Sequence, residues 1–293
     1  MTIRINISML KKIKNYISFT KPGISRAQIL TVSIGYFLAT QTLSINLTYF
    51  YLILATYLFS ASACGANNLI EFKLDEKMNR TKKRELITGE ISRNEAVIII
   101  IFTFILATLF VLKINIFTLI ISWATWFIYV AVYTPLKQYS WLNTYVGAIP
   151  GALPLIGGWV ATGTPLHLAV LSLFFTLFCW QIPHFFALSI LYFDDYKSAG
   201  FFMLPNQKGG IAATKRQMIF FSILMTLSSI YPFFIGFLSE LYLVGVVSLS
   251  VVFNWFIFTG IKNLELNAKK LFILSIIYLP VWFAFIIIDI VFN

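Results

Sequence analysis

Uncharged apolar stretches, each long enough to cross a bilayer, recur along this chain with little sequence between them. A spanning helix needs roughly 17–25 residues. Stretches of that kind fall near 27–43, 49–70, 96–112, 114–134, 141–161, 167–191, 217–237, 241–261 and 271–288. Backbone amides in hydrocarbon must be satisfied within their own segment, which predicts helices, and no period-2 barrel pattern is present. Composition agrees: 59% of the 293 residues are hydrophobic and 11% charged, where a soluble domain carries about 25% charged residues. So few charges cannot coat a globule. The predicted fold class is all-α, a polytopic membrane bundle of about nine transmembrane helices forming a single domain over 1–293.

With nine spans the connections alternate sides, and the basic residues sort accordingly. Arg4, Lys11, Lys12, Lys14, Lys21 and Arg26 lie on the N-terminal side, with the later groups from Lys73 to Arg93, Lys137, Lys197 to Arg216, and Lys262 to Lys270. Of 22 Lys and Arg, Lys113 alone falls opposite. The positive-inside rule places the crowded side in the cytoplasm, with the N-terminus inside and Asn293 outside. The net charge of +11 is therefore topological and is not a nucleic-acid footprint. Lys11, Lys12 and Lys14 ahead of an apolar run imitate a signal peptide, yet no small-residue cleavage site follows and eight more spans do. An integral protein of the cell (plasma) membrane is expected. Cys64 and Cys179 both fall in spans and form neither a disulfide framework nor a metal motif.

Two cytoplasmic connections, about 71–95 and 192–216, are long, while external ones such as 44–48, 162–166 and 238–240 are short. The long pair holds eight of the eleven acidic residues, so function is expected on that face. Asn67, Glu71 and Asp75, spaced i, i+4, i+8 at the end of the second span, share one helical face. Asp194 and Asp195 are expected to end the sixth span in the same way. A helix C-terminus disfavours carboxylates, so a compensating cation is expected. Magnesium, which takes oxygen ligands and bridges carboxylates to phosphate, suits Asn67, Glu71, Asp75, Asp194 and Asp195. Glu76, Glu85 and Glu90 read as solvated loop acids.

Immediately after the acidic ladder comes Lys77-Met78-Asn79-Arg80-Thr81-Lys82-Lys83-Arg84. Acid followed by dense base suits a metal–diphosphate, with Lys77, Arg80 and Arg84 on phosphate oxygens; Lys82 and Lys83 suffice as topogenic charges. Within the sixth span, Trp180-Gln181-Ile182-Pro183-His184-Phe185 places polar groups at membrane depth, where they mark functional sites. His184 could ligate a metal, bond a substrate, or satisfy the carbonyl that Pro183 frees. His167 reads as an interface residue. In the fifth span, Gly147, Gly151, Gly157 and Gly158 serve either close helix packing or room for a flat ligand.

Together these motifs resemble the UbiA superfamily of intramembrane prenyltransferases, which share an Asn-x-x-x-Asp-x-x-x-Asp motif and a second aspartate motif. Thr20-Lys21-Pro22, the Met78-x-Arg80-Thr81 string, Tyr133-Thr134, Gly157-x-Trp159, Trp180-Gln181-x-Pro183-His184-Phe185, Asp195-Tyr196 and Met203-Leu204-Pro205 are similar to its haem O-forming branch. Matches run from residue 20 to about 216; the last three spans add only hydropathy. Glu71 stands where Asp is usual, and Lys73 where a further acid is common.

The resemblance implies a UbiA-like bundle that moves a farnesyl group from farnesyl diphosphate to a vinyl group of protohaem IX, giving haem O. It implies Mg2+ as cofactor, with Asn67, Glu71, Asp75 and Asp195 catalytic and His184 against the haem. Lys21 and Lys137 are candidates for the haem propionates. Membrane lipid, and a haem-pathway or terminal-oxidase assembly partner, are the partners it suggests. A superfamily relative acting on a quinone-precursor ring or a lipid glycerol would use the same diphosphate site. A transporter is the reading from another class, but transporters gather ionisable groups at the midplane, and these acids lie at the rim.

Overall fold

The computed structural model describes residues 2–293, with side chains from Met9 onward. Among the described residues every regular element is helical. In chain order these are α1 (Thr2–Phe19), α2 (Pro22–Thr40), α3 (Leu47–Ile70), the single turn α4 (Phe72–Asp75) and α5 (Arg93–Val111). Then come α6 (Ile116–Phe127), a π-helical turn over Ile128–Tyr133, α7 (Thr134–Leu136), α8 (Asn143–Val160) and α9 (Leu168–Leu191). The short α10 (Phe193–Ala199) precedes α11 (Gly210–Phe234), α12 (Glu240–Gly260) and α13 (Leu264–Phe292).

Each of the nine expected stretches coincides with a helix. Six stretches are long and apolar enough to cross a membrane, with α12 and α13 running on as one of them. Both α2 and α8 fall short of that measure because glycine, proline and hydroxyl residues dilute them. They lie inside the bundle and meet less lipid. By contrast α5 exposes Ile98, Ile101, Phe102, Ile105 and Leu109 along one face, the apolar surface a hydrocarbon environment accepts. The chain is an integral membrane protein.

Local sequence explains where the helices begin. Asn46 caps α3 by accepting from the Tyr49 amide, Asn115 caps α6 through the Thr118 amide, and Ser239 caps α12 through the Leu241 amide. Ser92 and Glu95 form a reciprocal capping box on α5, satisfying donors that a helix start leaves orphaned. His167, expected at a plain interface, caps α9: its Nδ1 accepts from the Ala169 amide at 3.2 Å.

Three features differ from the sequence expectation. The basic N-terminal segment is itself a helix, α1, fastened by Lys11–Glu90 and Lys12–Glu95 ion pairs at 3.0 and 2.7 Å and by Tyr16 donating to Glu95. The long connections are shorter than 71–95 and 192–216, because α4 and α10 form inside them and α5 and α11 begin at Arg93 and Gly210. Asp194 and Asp195 do not end a helix: α9 stops at Leu191, and both sit in the first turn of α10. The C-terminal dipole argument therefore does not apply to them.

Helix α2 packs on α3 and α8, α3 on α5, α8 on α6 and α9, and α9 on α11 and α13. Helix α13 closes the arrangement by touching α2. The α2–α8 contact is backbone on backbone: a Cβ on Gly35 would lie 1.9 Å from the Leu155 carbonyl oxygen, and one on Gly158 would lie 1.9 Å from that of Val32. Close approach of this kind is the usual role of small residues between membrane helices.

Candidate active site

A cavity of about 1070 Å³ opens among α2, α3, α6 with its π-turn, α8, α9 and α13. Its inner wall is mostly apolar and aromatic, with Phe59, Trp126, Tyr129, Tyr133, Trp180 and Phe185. Its mouth, beside α4, carries Lys21, Asn67, Glu71, Asp75, Arg80, Arg84 and Lys137.

The Asn67–Glu71–Asp75 ladder survives the break between α3 and α4. The Glu71 amide donates to the Asn67 carbonyl at 2.9 Å and the Asp75 amide to the Glu71 carbonyl at 2.8 Å, so the i→i−4 pitch continues across the junction. All three residues are at most 3% exposed. Each faces its own cation. Lys21 Nζ donates to Asn67 Oδ1 at 2.9 Å, Lys137 Nζ lies 2.7 Å from Glu71 Oε1, and Arg84 pairs with Asp75.

These pairings set the local electrostatics. Burial, aided by the neighbouring Arg84 guanidinium, brings the Lys21 ammonium down to about 8. Burial likewise pushes the Asp75 carboxyl up, opposed by Arg84. Burial works against the Lys137 charge, yet the Glu71 carboxylate, with Tyr133 and Tyr196, holds it above its ordinary value.

Lys137 reaches this point because α6 widens. Pro135 lacks an amide, and the Thr134 amide and hydroxyl both turn back to the Tyr129 carbonyl five residues earlier. A π-turn of this sort is a common mark of a functional site. It keeps Tyr129, Tyr133 and Lys137 on the cavity side, and Asn67 Nδ2 donates to Thr134 Oγ1 at 3.3 Å.

The second acidic pair is placed differently from the first. Asp194 is exposed, and the Asp195 carboxylate accepts from the Asn79 and Arg80 amides, both at 3.0 Å. Neither lines the cavity. Among the described residues no three carboxylate, imidazole or thiol groups converge on one point. Arg80 extends over the Tyr192 and Tyr196 rings, 4.8 and 5.8 Å from their centroids, while Lys77 is exposed and outside the cavity.

On the opposite wall, His184 does not serve the carbonyl that Pro183 frees. Its ring lies between Trp180 and Phe272, with centroids 5.0 and 4.9 Å away, and its Nδ1 meets Ser275 Oγ at 2.8 Å. Gln181 bonds the Ala148 and Leu177 carbonyls and fills the space that Gly151 leaves. Gly147 makes room for the Tyr133 ring, whereas Gly157 meets nothing nearer than 3.5 Å. The small residues thus serve both packing and space.

Known proteins agree with this architecture. The profile of the UbiA prenyltransferase family matches residues 29–288. The chain belongs to the UbiA prenyltransferase family. Among relatives of this UbiA chain, the protoheme IX farnesyltransferase of Flavobacterium psychrophilum is 34% identical over 268 residues, covering 89% of each chain. That of Solibacter usitatus is 32% identical, covering 94% of this chain and 98% of its own. The solved structure of digeranylgeranylglyceryl phosphate synthase has a TM-score of 0.81 at 19% identity, over 96% of this chain and 99% of that one. A UbiA homologue from Archaeoglobus fulgidus bound to GPP and Mg2+ has a TM-score of 0.70 at 17% identity, over 93% and 99%. The two structures establish the shared UbiA fold.

Magnesium fits the residues present. Asn67 Oδ1, Glu71 and Asp75 are hard oxygen donors on one line, and each carboxylate keeps a second oxygen besides the one that meets Lys137 or Arg84. Oxygen sets of this kind, completed by substrate phosphate, suit that ion. Sequence reasoning assigned Lys21 and Lys137 elsewhere and missed Tyr129, Phe272 and Ser275. A hydroxyl within the apolar run of α13 was the signal that could have found Ser275.

Proposed function

We propose that this chain, acting as a single domain, transfers a farnesyl group from farnesyl diphosphate to a vinyl group of protohaem IX and so makes haem O. The observation that carries the reading is the row of three oxygen donors, each set against its own cation, at the mouth of a large aromatic cavity. Pockets for small ligands measure about 300–1,000 Å³. The space here, just above that range, suits an isoprenoid chain and a flat macrocycle together. Identity of 32–34% to protoheme IX farnesyltransferases over 89–94% of the chain supports the haem as acceptor.

In this reading Asn67, Glu71 and Asp75 hold Mg2+, which when bound neutralises the diphosphate and makes it a better leaving group. Lys21, Arg84 and Lys137 hold phosphate oxygens, with Arg80 at the rim, and Lys77 remains outside. The diphosphate departs with the electron pair of the allylic C–O bond. Tyr129, Tyr133 and Trp126 present ring faces that stabilise the cationic carbon, and the apolar wall keeps water from capturing it early. The vinyl group forms the new C–C bond; water then adds at its other carbon and loses a proton, leaving the hydroxyethyl group. The active site faces the cytoplasm of the plasma membrane, following the distribution of basic residues.

The test is purified protein in lipid with protohaem, farnesyl diphosphate and magnesium, followed by chromatography with mass detection. Haem gaining farnesyl and water, only with magnesium and not with Asp75→Ala, is the expected result. Consumption of farnesyl diphosphate with no change in haem would shift the acceptor to a quinone-precursor ring or a lipid glycerol. No consumption of any prenyl diphosphate would overturn the reading.

A further inference from the structure

Ser275 holds two residues of α9 at once. Its carbonyl accepts from Trp180 Nε1 at 3.0 Å, and its hydroxyl meets His184 Nδ1 at 2.8 Å. A serine hydroxyl has one proton to donate. Here that proton goes to the Phe272 carbonyl, an acceptor only, at 2.6 Å. Toward His184 the hydroxyl must therefore accept, so Nδ1 carries the imidazole proton and Nε2 is left with its lone pair. Nε2 has no hydrogen-bond partner among the described residues and is not enclosed, and His184 lines the cavity. The flanking Trp180 and Phe272 rings cover both faces of the imidazole, leaving its edge as the part that meets a ligand.

We propose that Ser275 is a positioning residue that locks His184 in the Nδ1–H tautomer and so presents Nε2 to the cavity as a Lewis base for the iron of a metalloporphyrin substrate. The assignment of that base to iron rests on the haem reading above; the tautomer lock does not. Histidine ligands to metals are commonly oriented by a hydrogen bond from the second ring nitrogen, and here a hydroxyl on a neighbouring helix supplies the acceptor.

The chain provides its own control. It has two histidines, and His167 Nδ1 accepts from the Ala169 amide, which requires the opposite tautomer with the proton on Nε2. Nitrogen NMR of full-length protein labelled with 15N-histidine, in lipid bilayers without haem, reads both rings directly. The expected result is one ring protonated at Nδ1 and one at Nε2, with the first retained in His167→Asn. Ser275→Ala should move His184 toward the Nε2–H form, and Ser275→Thr should restore the original. An Nε2-protonated His184 in the wild type, or a tautomer unchanged in Ser275→Ala, would overturn the lock. Haem titration followed in the Soret band then tests the iron. Ser275→Ala should weaken binding on the order of tenfold, with Ser275→Thr near wild type. Haem binding unchanged in Ser275→Ala while the tautomer shifts would overturn the ligand role and leave the farnesyl-transfer assay to decide the acceptor separately.

Discussion

Removing Lys137 would leave the Glu71 carboxylate buried without its partner, and the structure fixes how much that should cost. Their charged atoms lie 2.7 Å apart, with side chains 13% and 4% exposed. At an effective dielectric of about 20 the attraction at that separation is about 6 kcal/mol, much of which offsets the desolvation of both groups. Breaking a buried pair from one side typically costs about 3–5 kcal/mol, whereas replacing both partners is often close to neutral. Lys137→Met should therefore destabilise the protein by about 3–5 kcal/mol, which for a chain of this size corresponds to roughly 6–10 °C in apparent melting temperature. Glu71→Gln should cost less, because the side-chain amide keeps an oxygen that can accept from the Lys137 ammonium, and the double variant should recover most of the loss. Thermal unfolding in detergent, followed by tryptophan fluorescence for all four proteins, gives the cycle. A Lys137→Met variant that melts within about 2 °C of the wild type, or a double variant as unstable as the single, would refute the argument.

Two further outcomes follow from contacts at the mouth and in the bundle. Asp195→Ala should accelerate tryptic cleavage around Lys82, Lys83 and Arg84, since the Asn79 and Arg80 amides lose their acceptor; cleavage rates equal to wild type would remove Asp195 from that role. Gly158→Ala should destabilise by about 1–3 kcal/mol through overpacking, because its Cβ would sit 1.9 Å from the Val32 carbonyl, while the adjacent Gly157→Ala, with 3.5 Å to its nearest neighbour, should melt normally.

The helical segments were legible because bilayer thickness constrains length and hydrocarbon excludes charge, and those constraints act on each segment alone. The Asn67–Glu71–Asp75 ladder was legible for a similar reason: it depends on spacing within one stretch of chain. What escaped was set by contacts between distant segments. Lys21 and Lys137 read as topological charges and as candidates for the haem propionates until folding placed them against Asn67 and Glu71. The π-turn could not be read, because Tyr133-Thr134-Pro135 breaks the helical pitch only once Asn67 and the Tyr129 carbonyl share the Thr134 hydroxyl. Asp195 was expected beside the ladder, and its use by the Asn79 and Arg80 amides depends on α10 starting two residues after α9 ends. Ser275 lay in the part of the chain read from hydropathy alone, and its partner is 91 residues away.

The hold of Asp195 on the Asn79–Arg80 peptide gives one carboxylate two competing uses. In the conformation described, it ties the segment after α4 to α10, so the two connections are joined beside Arg80 at the cavity mouth. Should the same carboxylate swing inward toward a cation, both amides would be released together, while the Arg80 guanidinium would keep its contacts with Tyr192 and Tyr196. Coordination by Asp195 and the join between the two connections are thus alternatives drawn on a single side chain.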